Sequence, residues 1–216
     1  MDFSHLLEKY ALLAGRADRA FSRMEKEYGN CIKCEIHCSE CCHAVFGLFI
    51  IEAVYLNQHF SQLHRKQRRE AISRAKKSDK ELSKIEERLN SYEDDPQMRL
   101  LGLSKERVRC PLLDQKDECI LYPSRPITCR VYGIPTAIHG KGHVCGKAAF
   151  RQGETYPTFD LDYVYRELYH LSKVLLVQAG GEEIERASLL ISVSRAISTS
   201  VRDIVTGGDF DLREVD

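Results

Sequence analysis

CIKCEIHCSECC, residues 31–42, places five of the chain's nine cysteines within twelve positions. Thiolates this close repel one another, and thiols this close oxidise readily. The run therefore implies a disulfide framework, a redox device or a bound metal. The N-terminus, MDFSHLLEKYALLAGRADRA, lacks the basic-then-apolar order of a secretory signal. The longest apolar run, AVFGLFII (residues 44–51), is too short to cross a bilayer and meets Glu52. A cytoplasmic, reducing compartment is the expectation, and cysteine clusters there bind metal or do chemistry. Nine is also an odd number, which argues against complete pairing. Metal leads.

The spacing is C-x2-C-x3-C-x2-C-C. As a helix it would put Cys31, Cys34, Cys38 and the pair Cys41–Cys42 on one face, at steps of three and four. As a loop, each C-x2-C could form a metal knuckle. Either way sulfurs converge. Five buried neutral thiols are a poor alternative on a segment that also carries Lys33, Glu35 and Glu40. Adjacent Cys41 and Cys42 are not expected to chelate one metal with both sulfurs. The second group, Cys110, Cys119, Cys129 and Cys145, is too irregular to specify a site alone. It makes sense as the completion of sites begun by the first group, closing a long loop so that metal binding contributes to folding.

The rest of the chain reads as mainly α, with a small β-hairpin and cysteine-rich metal-binding loops. Phe3, Leu6, Leu7, Tyr10, Leu13, Ala17, Phe21, Met24 and Tyr28 recur at helical spacing, and Gly29 and Asn30 then supply a stop. Residues 61–89 are highly charged, with Ile72, Ala75, Leu82, Ile85 and Leu89 on one stripe, as in a solvated helix with a narrow packed face. SYEDDPQ (91–97) breaks the pattern. RVRCPLLDQKDECILY (107–122) has two apolar stretches around the polar turn DQKD, which predicts the hairpin, with Cys110 and Cys119 near facing positions. HGKGHVCG (139–146) reads as a flexible glycine-rich loop. Asp160 or Asp162 can cap a helix running to Ala179, and a last helix is expected over 183–203 before a loose tail. We expect one domain over 1–216, a cysteine core at 31–146 with a helical insertion at 61–90, and a C-terminal helical pair at 160–203.

Lysine plus arginine balance aspartate plus glutamate at 32 each, so no global field recruits nucleic acid or anionic lipid. HRKQRRE (64–70) is basic but is soon followed by acids, and no nucleic-acid partner is expected. The bacterial ferredoxin run has its three-residue gap at the end, before C-P, whereas here the gap is central. C-x3-C-x2-C (Cys34 to Cys41) matches the radical S-adenosylmethionine triplet, but Glu40 stands where an aromatic is usual, and GGEE (180–183) follows a helix rather than a strand. A thioredoxin-like βαβ setting is absent.

Taken with CPLL…C-I-LYPSRPITCR, the first run resembles the YkgJ-type cysteine-cluster family of zinc- or iron-chelating domains. Cys119, Ile120, Tyr122, Arg125, Pro126, Cys129 and Arg130 carry the more specific half of that resemblance. It covers roughly residues 31–146. The three-residue gap after Cys34 departs from C-x2-C-x2-C-C, so Cys31 or Cys34 can stand for the first family cysteine. The resemblance implies metal chelation and no settled reaction; flagellin lysine methylases carry a similar cluster.

All nine cysteines are candidate ligands: Cys31, Cys34, Cys38, Cys41, Cys42, Cys110, Cys119, Cys129 and Cys145. His37, His43, His139 and His143 rank below them. Arg125 and Arg130 could neutralise thiolates or grip an anion, but pairing with carboxylates and loop carbonyls is the stronger expectation. Zinc sites draw two ligands from each of two knuckles, whereas clusters take three from one tight run, so the cofactor reading leans to an iron–sulfur cluster over zinc. The leading function is a metal-binding protein with a structural, electron- or metal-handling role and a protein partner. The rivals are a metal-dependent enzyme, such as a group transferase acting on protein, and a zinc-stabilised scaffold. No Ser-His-Asp, Walker, dinucleotide or H-E-x-x-H motif names a reaction.

Overall fold

Residues 2–35, 37–92, 95–181 and 184–208 are described by a computed structural model. The protein is mainly helical. Helix α1 (Ser4–Tyr28) buries Leu6, Leu7, Tyr10, Leu13, Ala14, Ala17 and Met24 on the stripe its periodicity predicts. Helix α2 (Ile50–Ser61) is different: Ile50, Ile51, Glu52, Ala53, Val54, Leu56 and Phe60 are all buried. A helix buried around most of its circumference belongs at the centre of a core. It packs against α1, α6 (Leu161–Gln178), α7 (Val193–Ser198) and α8 (Val201–Thr206). Polar groups fix these contacts. The Ile51 amide donates to Ser172 Oγ at 3.1 Å, and Asn57 Nδ2 donates to the carbonyls of Ala196 and Thr199 at 2.8 Å each. Just before α2, Leu48 and Ile191 exchange both backbone hydrogen bonds at 2.8 Å.

Helix α3 (Arg65–Leu89) runs along α7 and buries Ala71, Ile72, Ala75, Ser78, Ile85 and Leu89. Ile85, Leu89 and Val108 form a small second core near α4 (Pro96–Lys105), a helix the sequence reading missed. The expected break at SYEDDPQ becomes a short 3₁₀ turn, Asn90–Tyr92, while Glu93 and Asp94 lie outside the described residues.

Asp160 caps α6, accepting from the Tyr163 amide at 2.8 Å. The single helix expected over 183–203 is broken instead. Residues Ile184–Ser188 form a 3₁₀ turn and Ile191 joins the bridge to Leu48; Ser192 then caps α7 and Ser200 caps α8. Serine side chains that bond the N–H groups of a following turn start helices rather than continue them. Gly207 ends α8 in the left-handed conformation at φ 74°. The tail from Asp209 onward lies outside the described residues, as do Glu182 and Glu183 of GGEE.

The β element is small and displaced from its expected place. Strands β1 (Thr136–Ile138) and β2 (Lys141–His143) pair antiparallel, with Ile138 opposite Lys141, and β1 pairs parallel with β3 (Phe159–Asp160). The two-residue loop is His139–Gly140, both at positive φ, 51° and 70°. That is the backbone of a type I′ hairpin turn, so the stretch read as a flexible loop is the hairpin. The expected hairpin at 107–122 shrinks to one bridge, Leu113 to Cys119. Asp114 there accepts from the amides of Lys116 and Glu118, taking donors that a longer ladder would need. Among the described residues no helix is long and apolar enough to cross a membrane.

Candidate metal centre

The cysteine run is a loop, not a helix. Cys31 closes a turn on Tyr28, His37 sits at φ 69°, and among the described residues of the run Glu40–Cys42 form a 3₁₀ turn. The run then lies beside the second cysteine group: the Cys110 amide donates to the Cys42 carbonyl at 2.7 Å, and Val108 donates to His43 at 3.0 Å. Cys119 comes in through its bridge to Leu113. Cys129 comes from α5 (Ile127–Val131), which packs on α1.

The two groups therefore meet. Cys41 Sγ lies 4.0 Å from Cys42 Sγ, and Cys129 comes near enough to act on the Cys41 thiol. The neighbouring Cys129 and then Cys42 thiols, helped by the charge of Arg125, hold the Cys41 thiol well below the ordinary value. Those neighbours move the other way. Cys129 and Cys42 are each raised by Cys41 and then by burial. Burial pushes Cys110 up to about 12 and Cys119 to about 11, and the charges of neighbouring thiols add to both. These five sulfurs form an inner group.

Cys34, Cys38 and Cys145 form an outer group. Burial raises Cys34 to about 12, with contributions from Cys38, Cys145 and Cys41, the last tying the two groups together. A shallow pocket here is lined by Cys34, Cys38, Cys145, Gly133, Lys33 and Lys147 among others. A Cβ on Gly133 would stand 2.2 Å from Cys34 Sγ, so only glycine admits the sulfur at this point. Cys31 faces a different neighbourhood. Its carbonyl accepts from the Ala149 amide at 2.8 Å, next to Phe150, and the Phe150 and Tyr28 rings both meet Tyr156 edge-on.

The arginines of the RPITCR stretch serve the loop. Arg130, almost fully buried, pairs with Asp18 of α1 and donates to the carbonyls of Arg125 (2.9 Å) and Pro123 (2.6 Å). Arg125 stacks over the Tyr122 ring at 3.9 Å, donates to the Tyr122 carbonyl and lies 3.7 Å from Asp18. Three of the histidines engage other groups, His37 with the Lys116 carbonyl, His43 with the Ser39 carbonyl and His139 with Asp162, while His143 is exposed and its backbone carbonyl accepts from Thr136. Glu40 joins two loops, 2.9 Å from Lys147 and 3.8 Å from Arg107. Helix α3 also reaches the site, since Ser78 and Arg74 donate at 2.8 Å to the carbonyls of Arg109 and Pro111, on either side of Cys110.

Sequence reading missed three supports: Asp18, Glu52 and the pairing of residues 42–44 with 107–110. The one signal for Glu52 was a carboxylate inside an apolar run.

Among the described residues, no three His, Cys, Asp or Glu side chains are drawn together closely enough to hold a metal ion as they stand. The donor set nevertheless suits a thiophilic metal. Cys41 and Cys42 Sγ lie 4.0 Å apart, so one soft sulfur can ligate while its neighbour bridges or serves a second metal. Thiols that burial keeps protonated ionise when a cation replaces the proton, and that removes the cost of gathering them.

A family model described as CxxCxxCC, "Putative zinc- or iron-chelating domain", matches residues 30–146. No curated protein and no solved structure matches the chain.

Proposed function

The chain belongs to this CxxCxxCC family of zinc- or iron-chelating domains, and on that premise we propose that it houses a resident iron–sulfur cluster at the inner thiol group. The supporting observation is the Cys41–Cys42 sulfur pair, 4.0 Å apart, together with the 2.7 Å bond from the Cys110 amide to the Cys42 carbonyl, which joins two cysteine groups far apart in sequence. Cys41, Cys42, Cys110, Cys119 and Cys129 are the inner ligand candidates. Cys34, Cys38 and Cys145 supply further ligands or a second site, and Cys31 is the cysteine left over. Such a cluster would supply one-electron chemistry or structural cross-linking. The protein's own part is to bury the sulfurs, place Arg125 near Cys41 and Cys119, and hold each loop by its backbone.

The partner is a protein. Supporting this, Tyr122 and Val144 stand 60% and 50% exposed within three residues of Cys119 and Cys145, and put apolar surface beside the thiols. Anaerobic purification followed by metal and acid-labile sulfide analysis tests the reading. Iron with sulfide supports the cluster, and zinc without sulfide replaces it with a zinc centre. Protein that takes up neither metal overturns the proposal.

A further inference from the structure

Glu52 is the one acid buried in the central helix α2, at 3% exposure. An ionisable group placed there is costly unless its oxygens are engaged. Oε2 accepts from the Phe49 amide at 3.4 Å, the ordinary duty of a glutamate in the first turn of its own helix. Oε1 does something else. It accepts from the Ile127 amide at 3.1 Å and from the Tyr10 hydroxyl at 3.3 Å, reaching across to α5 and α1.

Helix α5 needs that contact. Its N-cap is Pro126, which makes no side-chain cap bond, and the helix is only five residues long. A helix of under two turns cannot hold itself in water, so its direction is set by what grips its ends. Glu52 grips the first amide, and the Arg130–Asp18 pair grips the other end. Cys129 lies between the two grips, two residues after Ile127.

We propose that Glu52 is a positioning residue for the thiol centre: it caps α5 from the neighbouring helix and so sets where the Cys129 sulfur stands. This rests on the reading that Cys129 is a metal ligand. Partners that orient a ligand from outside the coordination sphere are worth about 10- to 100-fold in metal affinity.

The test is a cobalt(II) titration of anaerobically purified full-length protein, followed by the sulfur-to-cobalt charge-transfer band. Glu52→Gln keeps the size of the side chain but replaces one of the two oxygens on which three donors converge with an amide NH2. It is expected to lower cobalt affinity at least about tenfold and to weaken the band per bound cobalt. Ile204→Ala, a core change on α8 away from the thiols, is the control for simple destabilisation and is expected to keep both. In a Cys129→Ser background, Glu52→Gln is expected to change affinity no further. Tyr10→Phe, which removes one donor to the same oxygen and preserves packing, is the milder probe, with a loss of about two- to fivefold.

Glu52→Gln with wild-type affinity and band overturns the proposal. So does an equal loss in Ile204→Ala, or additive losses in the double variant. If Glu52→Gln does not fold, Tyr10→Phe with unchanged affinity overturns it. Unmodified protein that binds no cobalt, zinc or iron sinks the metal reading along with it; unmodified protein that binds while Glu52→Gln binds equally sinks only the positioning role.

Discussion

Leu168 on α6 and Cys42 in the cysteine loop are both buried, at 1% and 8% exposure, but among different neighbours. Leu168 belongs to the apolar core made by α1, α2, α6, α7 and α8, where removal from water is itself stabilising. Cys42 sits among other sulfurs, and Cys41 and burial together push its thiol upward. Gathering such groups gains little unless something shared by them all repays it. The frame holds itself together by apolar burial, whereas the loops, anchored to it by Leu112, Leu121, Ile127 and Ile134, depend further on backbone bonds, two arginines and the thiols. A change in the frame should cost stability and leave metal content per folded molecule alone. A change among the thiols should affect both.

The largest effect is expected from Cys129→Ser. Serine is close in size but a poor ligand for soft metals, so little packing is lost while a thiolate is removed. Metal binding that closes a loop contributes directly to folding, about 10–16 kcal/mol for a structural zinc in zinc-finger peptides. Metal content and unfolding temperature, measured anaerobically beside the unmodified protein, should both fall. If neither changes, Cys129 is not a ligand.

Next comes Leu168→Ala, which leaves a cavity in the frame. We expect a loss of about 3 kcal/mol in denaturant unfolding with metal per folded protein unchanged. Loss of metal in proportion to stability would erase the distinction between frame and loops.

Glu52 lies on the boundary and adds a pH dependence. Burial raises its carboxyl from 4.5 to about 7, so between those values the folded protein holds a proton that the unfolded chain has released. Its contribution is full below about pH 4.5 and is lost as pH rises through about 7. In a Cys129→Ser background, the stability advantage over Glu52→Gln should therefore shrink by about 3 kcal/mol between about pH 4 and pH 8. A difference that stays flat with pH would show that the carboxyl titrates as in the unfolded chain.

The smallest effect is expected from Gly133→Ala. Its new methyl would press on Cys34 Sγ, at a cost of about 1–2 kcal/mol by overpacking. Because the displaced atom belongs to the outer group, any metal held there should be lost while the inner group keeps its own. Metal analysis before and after mild chelation separates the two.

How much of this was legible in the sequence follows from the same contrast. Helices α1 and α6 were readable because apolar burial leaves a 3.6-residue period, and Asp160 marked a start. The C-terminal helix was misread because Ser192 and Ser200 fit a helical period while their side chains begin new helices. The hairpin was misplaced because a glycine-rich turn and a flexible loop share a composition; only the positive φ of both His139 and Gly140 tells them apart. In the loops, residue types identified the chemistry but not the neighbours. That Cys41 meets Cys129 depends on Asp18, Arg130 and Glu52 acting across the fold, and no local pattern encodes such contacts.

The paired backbone bonds between Leu48 and Ile191 have a consequence in time. The segment that leads from the cysteine run into α2 is pinned to a residue 143 positions later. Synthesis therefore delivers all nine thiols, the last at Cys145, before α7 and α8 exist to close against α2. At ~5–20 residues per second, residues 146–205 take roughly 3–12 s to emerge. During that interval the growing chain presents its sulfurs to oxidants and to free metal without the frame that will later select among them.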